Sequence, residues 1–255
     1  MLLTIDIGNT QLTIGAYAGD HPGPRWRLAT AAHRSSDEYG LQILGLLAHA
    51  RVDPNDLHGV CLASVVPPLT SSITRACRDY LGCQPLVVGA GVKTGVKILA
   101  QEPRTVGADR IVNACAVKHR YHGPACVVDF GTATTFDAVT ADGDYLGGAI
   151  APGLQLGAES LFRNTAKLPK VDIERPPNVI GRNTIEAIQS GLVFGYVALV
   201  EGMVARFAGE LGPDMQVIAT GGLAEIVARE TKVIHVVDPW LTLEGLRIIW
   251  ELNPH

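Results

Sequence analysis

The 255-residue sequence lacks most of what would tie a chain to a nucleic acid, a membrane or an oxidising compartment. It has no run of Lys or Arg, and its formal net charge is −4. There is thus no electrostatic case for a nucleic-acid partner or an anionic membrane surface. No C-x-x-C pair occurs among its five cysteines, Cys61, Cys77, Cys83, Cys115 and Cys126. An odd number of thiols, mostly in apolar surroundings, reads as reduced cysteines of a cytoplasmic protein rather than a disulfide framework. The opening Met1-Leu2-Leu3-Thr4-Ile5-Asp6 has no basic segment, and Asp6 interrupts its apolar run too early for a signal peptide. The longest uninterrupted apolar stretch, Leu192 to Val200, stops at Glu201, far short of the ~20 residues of a membrane span, and is expected to be a buried helix. His119 and His122 have no cysteine or carboxylate at ligand spacing, which predicts solvated surface histidines rather than a metal centre.

What is present is a good supply of core. The composition is 47% hydrophobic and 18% charged, enough for well-packed interiors and against disorder. The length fits one large domain or two of ordinary size, and an internal echo favours two. Asp6-Ile7-Gly8-Asn9-Thr10 follows the apolar Leu2, Leu3 and Ile5 and precedes Leu12-Thr13-Ile14. Asp129-Phe130-Gly131-Thr132-Ala133-Thr134 follows Ala125 to Val128 and precedes Thr135-Phe136-Asp137. Each reads as a buried strand, a tight turn at glycine and a second strand. Such a tip carries one carboxylate, several backbone N–H groups and hydroxyls. The N–H groups and hydroxyls can hold phosphate oxygens, and glycine lets the backbone approach them. The carboxylate would repel phosphate unless a cation lies between. Neither hairpin contains a lysine, so cations must neutralise the phosphates.

Along the chain, Gly19 to Pro24 is expected as a link and Arg25 to Thr30 as a third strand. Ser35 and Glu38 form a capping box for a helix over 36–50. Strands are expected at 60–66 and 85–88, with a helix over 70–81 between them. Hairpin strands first and alternating strand and helix afterwards fit a mixed sheet covered by helices. Gly107-Ala108-Asp109-Arg110 opens the next helix. Asp109 there complements the helix dipole and contacts Arg110, or it is a carboxylate general base. Strands 135–140 and 145–150 lead into glycine-rich Gly147 to Leu154, where the backbone closely approaches either a ligand or a packed helix. A helix over 155–163 and a proline-rich loop over 170–178 come next. Asn183-Thr184 precedes a long helix over 185–211. Gly191, Gly195 and Gly202 along it mark either a domain spine or a subunit interface. A strand over 215–220, the Gly221-Gly222 turn and a helix from Leu223 make a plausible nucleotide contact. A strand over 233–237 and a helix over 242–252 complete the order.

Asp-x-Gly-Asn-Thr, Gly-Ala-Asp-Arg, Asp-x-Gly-Thr-Ala-Thr-Thr, Asn183-Thr184 and the Thr-Gly-Gly turn together resemble the type III pantothenate kinases. The resemblance runs from Asp6 to Leu246, and Gly-Ala-Asp-Arg between the two hairpins is its specific part. It implies an α/β fold of two ribonuclease-H-like domains of the actin, sugar-kinase and heat-shock-chaperone superfamily, divided here as 1–117 and 118–255, with the active cleft between them. It implies ATP-dependent phosphorylation of pantothenate to 4′-phosphopantothenate, the opening step of coenzyme A synthesis. Carried over by position, Asp6, Ile7, Gly8, Asn9, Thr10, Gln11, Leu12 and Thr13 line the ATP phosphates, with Asp6 near Mg²⁺. Thr132 also touches ATP. Gly107, Ala108, Asp109 and Arg110 hold pantothenate, with Asp109 as proton acceptor, and Thr184 contacts it. Asp129 binds a monovalent cation, K⁺ or ammonium. The resemblance also implies a homodimer with the substrate pocket near its interface. One position departs from the pattern: Ala100 stands where members often carry an aromatic residue, so part of the pocket wall differs. The rival readings are another superfamily enzyme, such as a sugar kinase or polyphosphate phosphatase, and a regulatory protein that keeps the nucleotide fold without turnover.

Overall fold

The computed structural model describes residues 1–254. They form two compact units, one of Met1–Arg120 with the last helix from Leu241, the other of Tyr121–Trp240.

In the first unit, β1 (Leu2–Ile7) pairs antiparallel with β2 (Gln11–Ala18), which pairs antiparallel with β3 (His21–Ala29). Helix α1 (Ser36–His49) follows, and the expected capping box is present: the Glu38 N–H donates to Ser35 Oγ at 3.3 Å and the Ser35 N–H to Glu38 Oε2 at 2.8 Å. Then come β4 (Gly59–Ser64), parallel to β1, helix α2 (Pro67–Leu81), β5 (Leu86–Val87) and helix α3 (Ala108–Arg120). The sheet order is β3-β2-β1-β4-β5. Within this unit most boundaries shift by one or two residues, and two shift further from the sequence reading. Strand β3 starts at His21 and takes in Pro22 and Pro24, which an edge strand tolerates because it needs fewer ladder donors. Helix α2 starts at Pro67, not Thr70, since proline in a first helical turn forfeits only an N–H that has no intrahelical partner.

The second unit repeats this plan. Strand β6 (Ala125–Phe130) pairs antiparallel with β7 (Ala133–Val139), and β7 with β8 (Tyr145–Pro152). Helices α4 (Leu154–Arg163) and α5 (Thr184–Leu211) follow, then β9 (Gln216–Thr220), parallel to β6, the short α6 (Ala224–Ala228) and β10 (Val236–Val237). Its sheet order, β10-β9-β6-β7-β8, is the first sheet's read in reverse. Each unit has its own core. In one, Leu3, Ile5, Ile7, Leu12 and Ile14 of the hairpin meet Ile43 and Ile73 of the helices. In the other, Val128, Phe130 and Phe136 meet Val197, Val200 and Val204 of α5.

Helix α7 (Leu241–Leu252) comes after the second unit in sequence, and the expected division at 117/118 gave it to that half. In the structure it packs on α3 and the first sheet. Thr242 Oγ1 donates to Asn113 Oδ1 at 2.8 Å, and a Cβ on Gly245 would lie 2.2 Å from the Val112 carbonyl oxygen. Helix α5 has the length and composition of a membrane span, with 39% of its most apolar window buried. The expected buried helix is therefore buried along one face: Ile188, Leu192, Val193, Val197, Val200 and Val204 turn inward.

Candidate active site

At the first hairpin tip, Gly8, Asn9 and Thr10 connect β1 to β2, and the Gly8 N–H closes the turn on the Gln11 carbonyl at 3.0 Å. Asn9, Thr10 and Gln11 are exposed; Asp6, Gly8 and Thr13 are half-buried; Ile7 and Leu12 point into the core. Asp6 lies directly across the ladder from Thr13. Thr30, just past β3, ties the tip down. Its N–H donates to the Thr10 carbonyl at 2.9 Å and its hydroxyl to the Gly8 carbonyl at 2.7 Å. Nothing in the local sequence pattern singled out Thr30.

The second tip repeats the pairing, with Asp129 opposite Thr135. Thr132 sits in the turn, half-buried. Two glycines press against this tip. A Cβ on Gly153 would lie 2.0 Å from the Thr132 carbonyl oxygen, and one on Gly221 would lie 2.6 Å from Asp129 Oδ1 and 2.6 Å from the Phe130 carbonyl carbon. Gly221 also has a φ of +91°, which L side chains rarely adopt. The glycine-rich strand end thus packs against the hairpin, and the Gly-Gly turn abuts Asp129 from the other neighbouring strand connection.

Asp109 sits in the first turn of α3. Its Oδ1 accepts the Arg110 N–H at 2.8 Å, and a Cβ on Gly107 would stand 2.5 Å from that oxygen, so Gly107 leaves room for the carboxylate. Burial raises the carboxyl's pKa above its ordinary value; the N–H groups of Arg110 and Asp109 and the Arg110 charge offset this only in part. Two contacts connect this group to the first hairpin. The Val65 N–H donates to the Ile7 carbonyl at 3.1 Å, and Val65 Cγ1 would be 3.6 Å from a Cβ on Gly107. Gly107, Ala108 and Arg110 are half-buried, as is Ala100 in the irregular stretch before them.

Thr184 is the exposed first residue of α5, whose N-cap Asn183 accepts the Glu186 N–H at 2.9 Å. It lines a groove of about 860 Å³ between α4 and α5 with Pro152, Leu156, Leu161, Ala187 and Gly191. Gly191 and Gly195 have nothing within 4 Å of an added Cβ. As expected, His119 and His122 are exposed; the His119 ring Nδ1 lies 2.9 Å from the carbonyl of Cys115 on its own helix. Among the described residues no three His, Cys, Asp or Glu side chains gather into a metal-holding group. The sequence-derived residues thus fall into two sets: the first hairpin with Gly107 to Arg110 in one unit, and Asp129, Thr132 and Thr184 in the other.

Comparison with known proteins bears on the family. Residues 2–206 match the family model for type III pantothenate kinase. A type III pantothenate kinase of Myxococcus xanthus is 52% identical over 99% of both chains. Among solved structures, a conserved Campylobacter jejuni protein assigned to a Baf family of transcriptional activators superposes with a TM-score of 0.64 at 18% identity, covering 99% of this chain and 98% of that one. A ROK hexokinase from Thermus thermophilus does so with a TM-score of 0.53 at 12% identity over 99% of both. At such identities the structures speak for the fold alone, an α/β fold shared over nearly the whole of each chain. With the family model and the close relative agreeing over nearly the whole length, the chain belongs to the type III pantothenate kinases, ATP-dependent phosphotransferases that phosphorylate an alcohol group of pantothenate in coenzyme A biosynthesis.

Proposed function

We propose that Asp109 is the general base of this chain, accepting the proton of the pantothenate primary hydroxyl as it attacks the terminal phosphoryl group of ATP. The observation that carries this is the link from Asp109 through Gly107 and Val65 to Ile7, which sets a half-buried carboxylate beside the phosphate-type hairpin of its own unit. Phosphoryl transfer through a loose transition state needs positioning and charge neutralisation more than covalent help. A carboxyl pushed above its ordinary value is a better proton acceptor than an exposed aspartate, provided it stays ionised at the working pH.

In this reading residues Asp6 to Thr13 bind the phosphates through backbone N–H groups and hydroxyls, Thr132 adds a contact to ATP, and Gly107, Ala108, Arg110 and Thr184 hold pantothenate. Asp6 supplies the single carboxylate that suits Mg²⁺ shared with phosphate, since Mg²⁺ is commonly held by one or two carboxylates plus substrate oxygens. Asp129 holds K⁺ or ammonium. The bound cations supply the positive charge that a P-loop lysine would otherwise bring. The enzyme acts in the cytoplasm.

The test is ADP release with pantothenate, Mg-ATP and either K⁺ or Na⁺, for the wild type and Asp109→Asn. The expected result is pantothenate-dependent turnover that needs K⁺ and falls by roughly 10²-fold or more in the variant. ADP release without pantothenate, or full activity in the variant, overturns the assignment of the base.

The exposed face of α4 and α5 supports a homodimer. Ile185, Leu156 and Phe162 of these helices are exposed, and Val179 and Ile180, in the segment that leads into α5, are 65% and 83% exposed. Exposed large apolar side chains are the material of an interaction face, and the unpacked Gly191 and Gly195 permit a close helix approach. Light scattering is expected to give a dimer mass for the wild type and a monomer mass for Gly195→Arg; an unchanged mass in the variant places the interface elsewhere.

A further inference from the structure

Beneath the second hairpin tip runs a buried polar line that the reaction as described leaves unused. Asp137 on β7 is fully buried. Both its carboxylate oxygens accept hydroxyl protons, from Tyr145 OH to Oδ1 at 3.1 Å and from Thr135 Oγ1 to Oδ2 at 2.9 Å. Thr135 is the direct cross-strand partner of Asp129. Such partners project to one face of the sheet with Cβ atoms about 4.5–5.5 Å apart. A hydroxyl has one proton and two lone pairs. With the proton committed to Asp137, Thr135 can offer a ligand at Asp129 only its lone pairs, which attract a cation and repel phosphate oxygen.

The first hairpin supplies the contrast. Thr13 faces Asp6 in the same register, but the residue two positions on is Gly15, where the second hairpin has Asp137. Gly15 has no side chain to take a proton, and a Cβ there would lie 2.8 Å from Leu243 Cδ1 of α7. Two matched Asp–Thr pairs therefore differ in what stands under the threonine: a carboxylate in one case, a packed helix in the other.

We propose that Thr135 contributes an oxygen to the monovalent-cation site at Asp129, and that Asp137 is a positioning residue which holds the Thr135 hydroxyl as an acceptor. This rests on Asp129 being a cation ligand. A carboxylate and a hydroxyl, both oxygen donors, suit a hard cation.

The experiment follows the melting temperature of the protein with Mg-ATP as K⁺ replaces Na⁺ at constant ionic strength, for wild type, Thr135→Val, Thr135→Ser, Asp137→Asn and Asp129→Asn. Expected is a saturable K⁺-dependent rise in the wild type. Its midpoint should move to roughly ten- to a hundredfold higher K⁺ in Thr135→Val, the usual cost of losing a supporting contact at a metal site, and return in Thr135→Ser. Asp137→Asn is expected to move it in the same direction, and the K⁺ needed for half-maximal turnover to move with it. A Thr135→Val midpoint equal to wild type, with the response lost in Asp129→Asn, overturns this inference and leaves the Asp129 assignment standing. A wild-type response in Asp129→Asn removes that assignment and this inference together. Should Asp137→Asn fail to fold, the Thr135 pair decides the matter alone.

Discussion

At the first hairpin tip the loop is held by two hydrogen bonds from Thr30; at the second, backbone is packed against backbone at Gly153 and Gly221. The strands beneath are equivalent, down to an Asp–Thr pair at the same register. Besides the residue under the threonine, the anchoring differs. Hydrogen bonds on a partly exposed loop can lengthen and re-form, so the first tip has room to adjust, as the proposed phosphate-binding role would require. A turn wedged between two neighbouring connections cannot shift without moving both. A fixed carboxylate suits ion coordination, where small displacements of a ligand oxygen change affinity.

The contrast can be broken most forcefully at the second tip. Gly221→Ala and Gly153→Ala each drive a methyl group into backbone atoms, and Gly221 adds an unfavourable φ. Each is expected to cost about 3 kcal/mol, read as a lowered midpoint of denaturant unfolding. Midpoints equal to wild type would show the collar to be loose. At the first tip, Thr30→Val removes one hydrogen bond while keeping side-chain volume and the backbone bond to Thr10. It is expected to cost about 1 kcal/mol, a gap to the glycine variants that the same unfolding series measures.

The smallest effect concerns Asp109, outside both tips, and has the opposite sign. Its pKa is raised in the folded protein, so its ionisation works against folding. The stability it contributes is fully present below the unfolded value of about 3.9 and is lost as pH rises through the folded value. Asp109→Asn should therefore be more stable than wild type at neutral pH, with the difference closing towards pH 4. A variant less stable at neutral pH would contradict burial as the cause of the shift. The same change that removes the proposed base would then raise the melting temperature, as expected where a functional group is held against its solvation.

Much of this was legible in the sequence because it is local. Buried strands ending in Asp and Gly, the Ser35–Glu38 capping box and Asp109 behind Gly107 are all patterns over a few residues, and the structure places each in the element expected. Contacts between segments distant in sequence were not legible. Thr30 lies 22 residues from the Gly8 carbonyl it binds, and no periodicity marks such a bond. Gly153 and Gly221 could be noted as glycines able to sit close to something, but what they sit against is fixed by strand order. Asp137 passed as one polar residue on a strand, because alternation reveals only which face a side chain takes. Helix α7 was misplaced for the same reason: sequence adjacency put it with the second half, while its apolar face fits α3 and β1.

That return of α7 to the first unit has a consequence for biosynthesis. Domains in a growing chain generally fold as they emerge, N-terminal first. Here the second unit, Tyr121–Trp240, is one continuous stretch, whereas the first is completed by residues translated after it. Leu243 over Gly15, Gly245 on Val112 and Trp250 against Gly59 are the late pieces. On the ribosome the half begun first is the half finished last, and until α7 emerges one flank of its sheet awaits its cover.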